Sequence, residues 1–176
     1  MANDGTPGSK GVSASIPDFT REYKTWADWD PSRSLIASIR SYQRVRSNRL
    51  LRAVAKKTAV LRHRFWSAVT GADIPIQCQI GGGLLMPHPN GIVIHPDAVI
   101  GPNCLLFQQV TIGQSNSGVP VIGGHVDVGA GAKILGAISI GDHAVIGANA
   151  VVLRDVPIGA TAVGIPATIV TQRKEE

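Results

Sequence analysis

The sequence predicts a mainly β protein: a parallel β-helix of hexapeptide repeats, preceded by a small basic α-helical segment. Three observations support this fold class. Aliphatic residues recur every six positions, glycine follows many of them directly, and a small or β-branched residue recurs four positions after them. A repeat of this period is typical of a solenoid, in which each unit packs on its neighbours.

The chain of 176 residues is long enough for one compact domain with a smaller appendage. Residues 1–16 are rich in glycine and serine and lack the apolar stretch of a signal peptide, so they are predicted to be a disordered leader. No apolar run approaches the roughly 18 residues that a transmembrane helix needs. We therefore expect a cytoplasmic protein.

The segment 17–71 is predicted to be helical and basic. Residues 1–70 hold thirteen Lys and Arg against five Asp and Glu, whereas residues 71–176 hold four against seven. Good helix formers surround the basic residues, and one helix face is expected to pack on the rest of the protein. The apolar residues of that face are Leu50, Val54, Leu61 and Phe65.

The basic face of these helices has two interpretations. An Arg-rich amphipathic surface suits peripheral contact with anionic lipid at the inner face of a membrane, or with the pyrophosphate of a carrier-linked glycan. The simpler interpretation is a solvated helix face. Nucleic acid is not an expected partner, because aromatic residues are few and no recognition motif accompanies the charge.

Residues 72–170 form the predicted β-helix, and residues 171–176 a tail. Each hexapeptide supplies one strand and one corner of a three-sided prism, with its aliphatic residue pointing inward. A spacing of six excludes an amphipathic helix, whose faces repeat every 3.6 residues. The aliphatic residues are Ile94, Ile100, Leu106 and Ile112, then Ile122, Val128, Ile134, Ile140, Ile146, Val152 and Ile158.

Two breaks interrupt the repeat, and insertions in a solenoid form surface loops that often carry binding groups. The first break lies beside His88 and Asn90, where an earlier aliphatic run is displaced by two positions. The second places four extra residues after Ile112 and contains Gln114. We expect Asn90 and Gln114 to contact a substrate.

His88 lies between Pro87 and Pro89, which hold it on stiff backbone. Its near-neutral pKa suits a general base that deprotonates a hydroxyl, provided that a carboxylate or carbonyl fixes its tautomer. One histidine in a turn is also compatible with a purely structural role. Cys78 and Cys104 occur in no metal-binding spacing, so we expect two buried, reduced thiols and no metal site.

Five segments of the repeat carry a family resemblance: ADI at 72–74, HPNGIVI at 88–94, VTIG at 110–113, GAGAKILG at 129–136 and GIPA at 164–167. Together they resemble bacterial serine acetyltransferases and their close relatives in surface-polysaccharide gene clusters. The resemblance implies a left-handed β-helix, acetyl-CoA as cosubstrate, and a homotrimer or dimer of trimers with active sites between neighbouring prisms.

The resemblance also implies the site residues. His88 corresponds to the catalytic base, and Asp73, nearly one coil earlier, to the aspartate that orients it. We expect them to stack as a dyad, so that a deprotonated acceptor hydroxyl attacks the thioester directly. A backbone N–H near Gly113 is expected to stabilise the oxyanion. The residues expected to bind coenzyme A are Gly113, Ala130, Gly131, Ala148, Arg173 and Lys174.

Departures from the family pattern concern the acceptor. Pro87 stands where serine acetyltransferases have an acidic residue, and Gly118-Val119 where an Arg-His pair helps to bind serine. Asp30 resembles the aspartate that receives the serine amino group, although Asp30-Pro31 is also an ordinary helix start. We therefore expect a sugar hydroxyl in surface-polysaccharide synthesis as the acceptor, with true serine O-acetylation in cysteine biosynthesis as the alternative.

Two other classes share the repeat. Trimeric β-helix carbonic anhydrases hold zinc with closely spaced histidines, and His95, His125 and His143 do not reproduce that spacing. These three are expected at exposed corners. A noncatalytic β-helix scaffold is the other alternative, and the absence of acetyl-CoA binding would distinguish it.

Overall fold

The structure is a computed structural model that describes residues 11–25, 27–44, 49–115 and 118–170. A short 3-10 helix (Phe19–Glu22) precedes the helices α1 (Pro31–Arg44) and α2 (Arg49–Thr70). The strands that follow are β1 (Gln79–Ile80), β2 (Val93–Ile94), β3 (Val99–Ile100), β4 (Leu105–Leu106), β5 (Thr111–Gly113), β6 (Val121–Ile122), β7 (Asp127–Val128), β8 (Lys133–Leu135), β9 (Ser139–Ile140), β10 (Val145–Ile146), β11 (Val151–Val152), β12 (Thr161–Gly164) and β13 (Ala167–Val170).

The strands form the three faces of a left-handed β-helix of about five turns, which confirms the predicted fold class. One face has the strand order β1-β3-β6-β9, the second β4-β7-β10-β12-β13, and the third β2-β5-β8-β11. All pairs are parallel except β12 with β13, which closes the end of the prism as an antiparallel pair. From β2 to β11, every third strand therefore returns to the same face.

The core consists of aliphatic residues stacked in register inside the prism. On the third face Ile94, Ile112, Ile134 and Val152 lie one above another, each at most 2% exposed. Small residues such as Ala98, Ala132 and Ala150 fill the narrow space beside them and are fully buried. This arrangement is the one that the six-residue period predicts.

The prediction for Ile158 is wrong, because this residue is 75% exposed. Ile140 is bridged to Val156, which is 3% exposed and takes the inward position instead. The last coil is two residues shorter than a regular coil of three hexapeptides, so the six-residue spacing no longer identifies the inward residue there.

The two breaks are extra residues within coils. Asp73 is paired with Val93, which leaves two extra residues in the first coil near the turn at 87–91. Ile112 is paired with Ile134, which leaves four extra residues in that coil, at the loop after β5. Both insertions lie at corners, so the faces keep their register.

Helix α1 packs on the first coils through Leu35, Ile36 and Ile39, which are at most 2% exposed. Next to them Arg40 donates hydrogen bonds to the backbone oxygens of Ile80 and Gly81 and pairs with Glu22 at 2.7 Å. Helix α1 therefore attaches to the β-helix by apolar contact and by the hydrogen bonds of Arg40, while the buried ion pair joins α1 to the 3-10 helix.

The prediction that the apolar face of α2 packs on the rest of the protein is wrong. Val54, Leu61 and Phe65 are 58%, 71% and 56% exposed, so they do not pack on the rest of the protein. The buried side of α2 instead carries Ala59 and His63. A small residue and a polar residue with a partner on α1 let the two helices approach closely, which leaves the apolar residues facing outward.

The segment before α1 runs along the β-helix. Asn103 is fully buried; its Nδ2 donates to the carbonyls of Ser13 and Ile16, and its Oδ1 accepts from the N–H of Asp18. Residues 1–10 of the predicted leader and the predicted tail 171–176 lie outside the described residues. No helix in the described part of the chain is long and apolar enough to cross a membrane.

Candidate active site

A cavity of about 510 Å³ opens between the start of α1, the end of α2 and the first break in the repeat. It contains His88 together with Asp30 and Asn90, which the sequence predicted as site residues. The complete lining is Trp29, Asp30, Pro31, Ser32, Val69, Thr70, Pro87, His88, Pro89 and Asn90. The helical segment and the β-helix therefore form one site.

The corner that carries His88 is held firmly by its backbone. The N–H of Gly91 donates to the carbonyl of Gly71 at 2.9 Å, and the N–H of Gln109 donates to the carbonyl of Asn90 at 2.9 Å. The His88 side chain is exposed, and no described residue is hydrogen-bonded to its imidazole. A fixed backbone with a free imidazole leaves both ring nitrogens available to a substrate.

The structure does not stack Asp73 on His88. The residue paired with Asp73 one coil later is Val93, because the first coil contains two extra residues. Within the described residues Asp73 and His88 form neither a hydrogen bond nor an ion pair. The carboxylate of Asp73 instead lies near His63 and acts to raise the pKa of that imidazole.

Asp30 caps α1 and also lines the cavity. Its Oδ1 accepts from the N–H of Arg33 at 2.9 Å, and its backbone carbonyl accepts from the N–H of Ser34, so it caps α1. Its Oδ2 lies 3.5 Å from Nε of Arg33. Both carboxylate oxygens therefore contact Arg33, and Asp30 lines the cavity with its charge partly balanced by that guanidinium.

Trp29 is a cavity residue that the sequence analysis missed. It is 77% exposed, and its ring meets that of Trp66 edge to face at a centroid distance of 5.7 Å. A tryptophan directly before Asp30 was the available signal. Its exposed ring adds an apolar wall beside the Asp30 carboxylate.

The corner that carries His88 is the first of a series of equivalent corners, one per coil, along one edge of the prism. We call this series the corner column. The N–H of Gly131 donates to the carbonyl of Gln108 at 2.9 Å, and the N–H of Asn149 donates to the carbonyl of Ala130 at 2.8 Å. Gly131 has φ of +73°, and a Cβ there would lie 2.2 Å from Oδ1 of Asn149. Glycine is therefore favoured at this corner, although Gln109 and Asn149 adopt the same left-handed conformation in the coils on either side.

The column has the length of an extended ligand. It runs from Asn90 through Gln108 and Ala130 to Ala148, one corner per coil. Since parallel strands lie about 4.8 Å apart, three steps span about 14 Å. The predicted coenzyme residues Ala130, Gly131 and Ala148 thus lie in line with the His88 corner.

Other predicted residues lie elsewhere. Gly113 ends β5 and is paired with Leu135, at the opposite end of the third face from the His88 corner. Gln114 follows it and is exposed. Neither lines the cavity within one chain. Arg173 and Lys174 lie outside the described residues.

Comparisons with known proteins agree with this architecture. No family model matches the chain. It is 44% identical over 106 residues to the serine acetyltransferase of Synechococcus elongatus, covering 58% of this chain and 43% of that one. The solved structure of the soybean serine acetyltransferase apoenzyme is 34% identical with a TM-score of 0.61, and the match covers 80% of this chain and 70% of the soybean chain. The chain belongs to the serine acetyltransferase family.

A solved complex of a serine acetyltransferase with CoA is 36% identical with a TM-score of 0.67, and the match covers 81% of this chain and 58% of that chain. This family member spans about half the length of the curated relatives it matches; the match to the Mycobacterium tuberculosis serine acetyltransferase covers 52% of that relative at 39% identity.

Three buried titratable side chains lie outside the cavity: His63, Cys78 and Cys104. Burial lowers the pKa of His63, against the opposing effects of a hydrogen bond to the Ile74 backbone and of the Asp73 charge. Burial also raises the pKa of Cys78 and of Cys104 to about 11. Both cysteines are free and buried, as predicted. The described residues contain no cluster of three potential metal ligands.

Proposed function

We propose that this protein is an acetyl-CoA-dependent O-acetyltransferase whose acceptor is L-serine. One observation carries the proposal: Asp30 and His88 line the same cavity. That cavity lies at one end of the corner column, whose small residues are Ala130, Gly131 and Ala148. A carboxylate suited to an ammonium group and an imidazole suited to a hydroxyl are the two groups that serine requires.

The relatives favour serine over the sugar acceptor that the sequence analysis put first. Those reported above carry the name serine acetyltransferase, and a further solved structure of 35% identity is a serine acetyltransferase complex with cysteine. Cysteine shares the amino and carboxylate groups of serine. The alternative drawn from the sequence therefore becomes the main proposal.

The proposed donor site follows the corner column. Pantetheine would extend past Ala148 and Ala130 toward His88, where the column of about 14 Å ends. Small side chains permit close approach of the arm to the backbone. The solved family complex with CoA supports this choice of donor, and the phosphate contacts are assigned to Arg173 and Lys174 of the tail.

The proposed chemistry is a direct transfer. The imidazole of His88 takes the proton of the serine hydroxyl, and the resulting alkoxide attacks the thioester carbonyl. The C–S bond then breaks, and the sulfur of coenzyme A leaves with the proton from the imidazolium. Asp73 would support the imidazolium by its charge.

The oxyanion site belongs, in this proposal, to a neighbouring copy. Gly113 and Gln114 lie at the far end of the third face from His88, so one prism does not join them to the cavity. A second prism packed alongside would bring its Gly113 edge to the His88 edge of the first. This geometry supports a homotrimer, or a dimer of trimers, with active sites between prisms.

A sugar hydroxyl is the second candidate acceptor. Pro87 and Gly118-Val119 stand at positions where the family resemblance places residues that help to bind serine. The cavity of about 510 Å³ is also much larger than serine needs. The exposed ring of Trp29 offers an apolar wall to a larger acceptor. Polysaccharide synthesis near an anionic membrane surface would also give the basic side of α2 a role.

The deciding experiment measures thiol release from acetyl-CoA with the purified full chain. L-Serine, sugars, nucleotide sugars and glycan oligomers are compared at equal concentration, with acetyl-CoA alone as the blank. Turnover with L-serine supports the proposal, and turnover only with a glycan replaces it by the second candidate. Failure of the protein to bind acetyl-CoA in calorimetry would indicate a noncatalytic scaffold.

A further inference from the structure

His125 and His143 form a close pair on an edge of the prism that the proposed reaction does not use. Their Nδ1 atoms are 2.8 Å apart, and the ring centroids are 5.0 Å apart with an interplanar angle of 74°. His125 lies at the corner between β6 and β7, and His143 at the same corner one coil later, between β9 and β10. The cavity that contains His88 lies at a different corner.

The backbone fixes both residues. The N–H of His125 donates to the carbonyl of Pro102 at 2.7 Å, and the N–H of His143 donates to the carbonyl of Gly124 at 3.0 Å. Both have left-handed backbone conformations, with φ of 52° and 60°. Histidine is among the residues enriched there, so the conformation alone indicates no function. The two side chains are nevertheless placed together by rigid corners.

We propose that His125 and His143 bind a divalent transition-metal ion, copper(II) or nickel(II). Metal–nitrogen bonds to imidazole are about 2.0 to 2.1 Å long. Two such bonds at a right angle place the nitrogens about 2.9 Å apart, whereas a tetrahedral angle places them about 3.3 Å apart. The 2.8 Å is set by a hydrogen bond in the free pair, and it already brings the nitrogens to the spacing of adjacent positions in a square-planar or tetragonal site, which these two ions prefer.

Binding needs one rearrangement of a proton. In the free protein one Nδ1–H donates to the other Nδ1, so the donor ring must change to its Nε2–H tautomer. Both rings must also turn, so that the Nδ1 lone pairs converge on the ion and no longer point at each other. The described residues offer no group of three ligands, so water completes the coordination. The β-helix carries more acidic than basic residues, and Asp142 lies next to His143, which favours a cation here.

The test titrates the tag-free full chain with copper(II), followed by calorimetry and by electron paramagnetic resonance. The expected result is one tight site per chain with a tetragonal spectrum and two nitrogen ligands. H125N and H143N are each expected to weaken binding at least about tenfold. Asparagine tolerates the left-handed backbone, so both variants should fold, which circular dichroism checks.

His95→Asn is the matched control, because His95 lies on another corner and its Nδ1 accepts from the N–H of Asp97. This variant should bind copper(II) like the wild type. Equal copper affinity in the wild type and in the H125N/H143N double variant would overturn the proposal, as would a spectrum with fewer than two nitrogen ligands. Neither result depends on acetyl transfer.

Discussion

Asp30 caps α1 and lines the same cavity as His88, although the two residues belong to different parts of the fold. The cap holds one carboxylate oxygen at the N–H of Arg33, and the other lies 3.5 Å from Nε of the same arginine. A residue that ends a loop and begins a helix is thereby fixed in position beside the proposed base. Two substitutions separate its roles from those of His88.

Asp30→Asn removes the negative charge but keeps a good helix cap, because asparagine and aspartate cap helices about equally well. We expect the KM for L-serine to rise about tenfold or more, while the KM for acetyl-CoA and the unfolding midpoint change little. Steady-state kinetics and chemical denaturation measure these quantities. An unchanged KM for L-serine would reduce Asp30 to a helix cap.

His88→Ala removes the proposed general base. We expect kcat to fall by about two to four orders of magnitude, because general-base catalysis contributes about that much. Binding of acetyl-CoA, measured by calorimetry, should persist, since the corner column is untouched. His95→Ala is the control and should keep its activity. Full activity of the His88 variant would exclude the proposed mechanism.

The sequence predicts the β-helix well because the six-residue period is a local property. Ile94, Ile112 and Ile134 occupy equivalent inward positions, and nothing distant is needed to identify them. The period fails at Ile158, where a shorter coil places Val156 inward. It fails again for Asp73 and His88, because the two extra residues of the first coil change which residues stack.

The helices illustrate a second limit. An apolar stripe on α2 predicts burial, yet Leu61 and Phe65 are exposed, because α1 contacts the side that carries Ala59 and His63. Helix-to-helix contact depends on tertiary geometry that periodicity does not contain. The meeting of Trp29 with His88 in one cavity depends on the same geometry, and for that reason the sequence analysis missed Trp29.

Cys78 and Cys104 should be unreactive in the folded protein. Burial raises the pKa of each thiol to about 11, so at pH 8 only about one thiol in a thousand is a thiolate. We expect no labelling by iodoacetamide within an hour at pH 8, and labelling of both thiols in denaturant, as counted by mass spectrometry. Rapid labelling of the native protein would contradict this prediction. The result also bears on the thiol-release assay, because unreactive cysteines add no background.

His63 makes the stability of the helical segment depend on pH. Burial lowers the pKa of this imidazole below its ordinary value, while its Nδ1 lies 3.1 Å from Oγ of Ser38 on α1. As the pH falls through about 6.5, the ordinary pKa of histidine, the unfolded chain binds a proton that the folded chain resists. The free energy of unfolding therefore falls as the pH drops below about 6.5, and above neutral pH the group contributes no pH dependence.

His63→Gln replaces this group by a polar side chain that does not titrate. Denaturant unfolding at pH 7.5 and at pH 5.0 gives the loss of stability for each protein. The wild type should lose more than the variant, because the other titrating groups are common to both and cancel in the comparison. His95→Gln removes a half-buried imidazole at a corner of the β-helix instead and should keep the loss seen in the wild type. Equal losses in the wild type and in the His63 variant would mean that His63 takes up its proton in the folded protein as easily as in the unfolded chain.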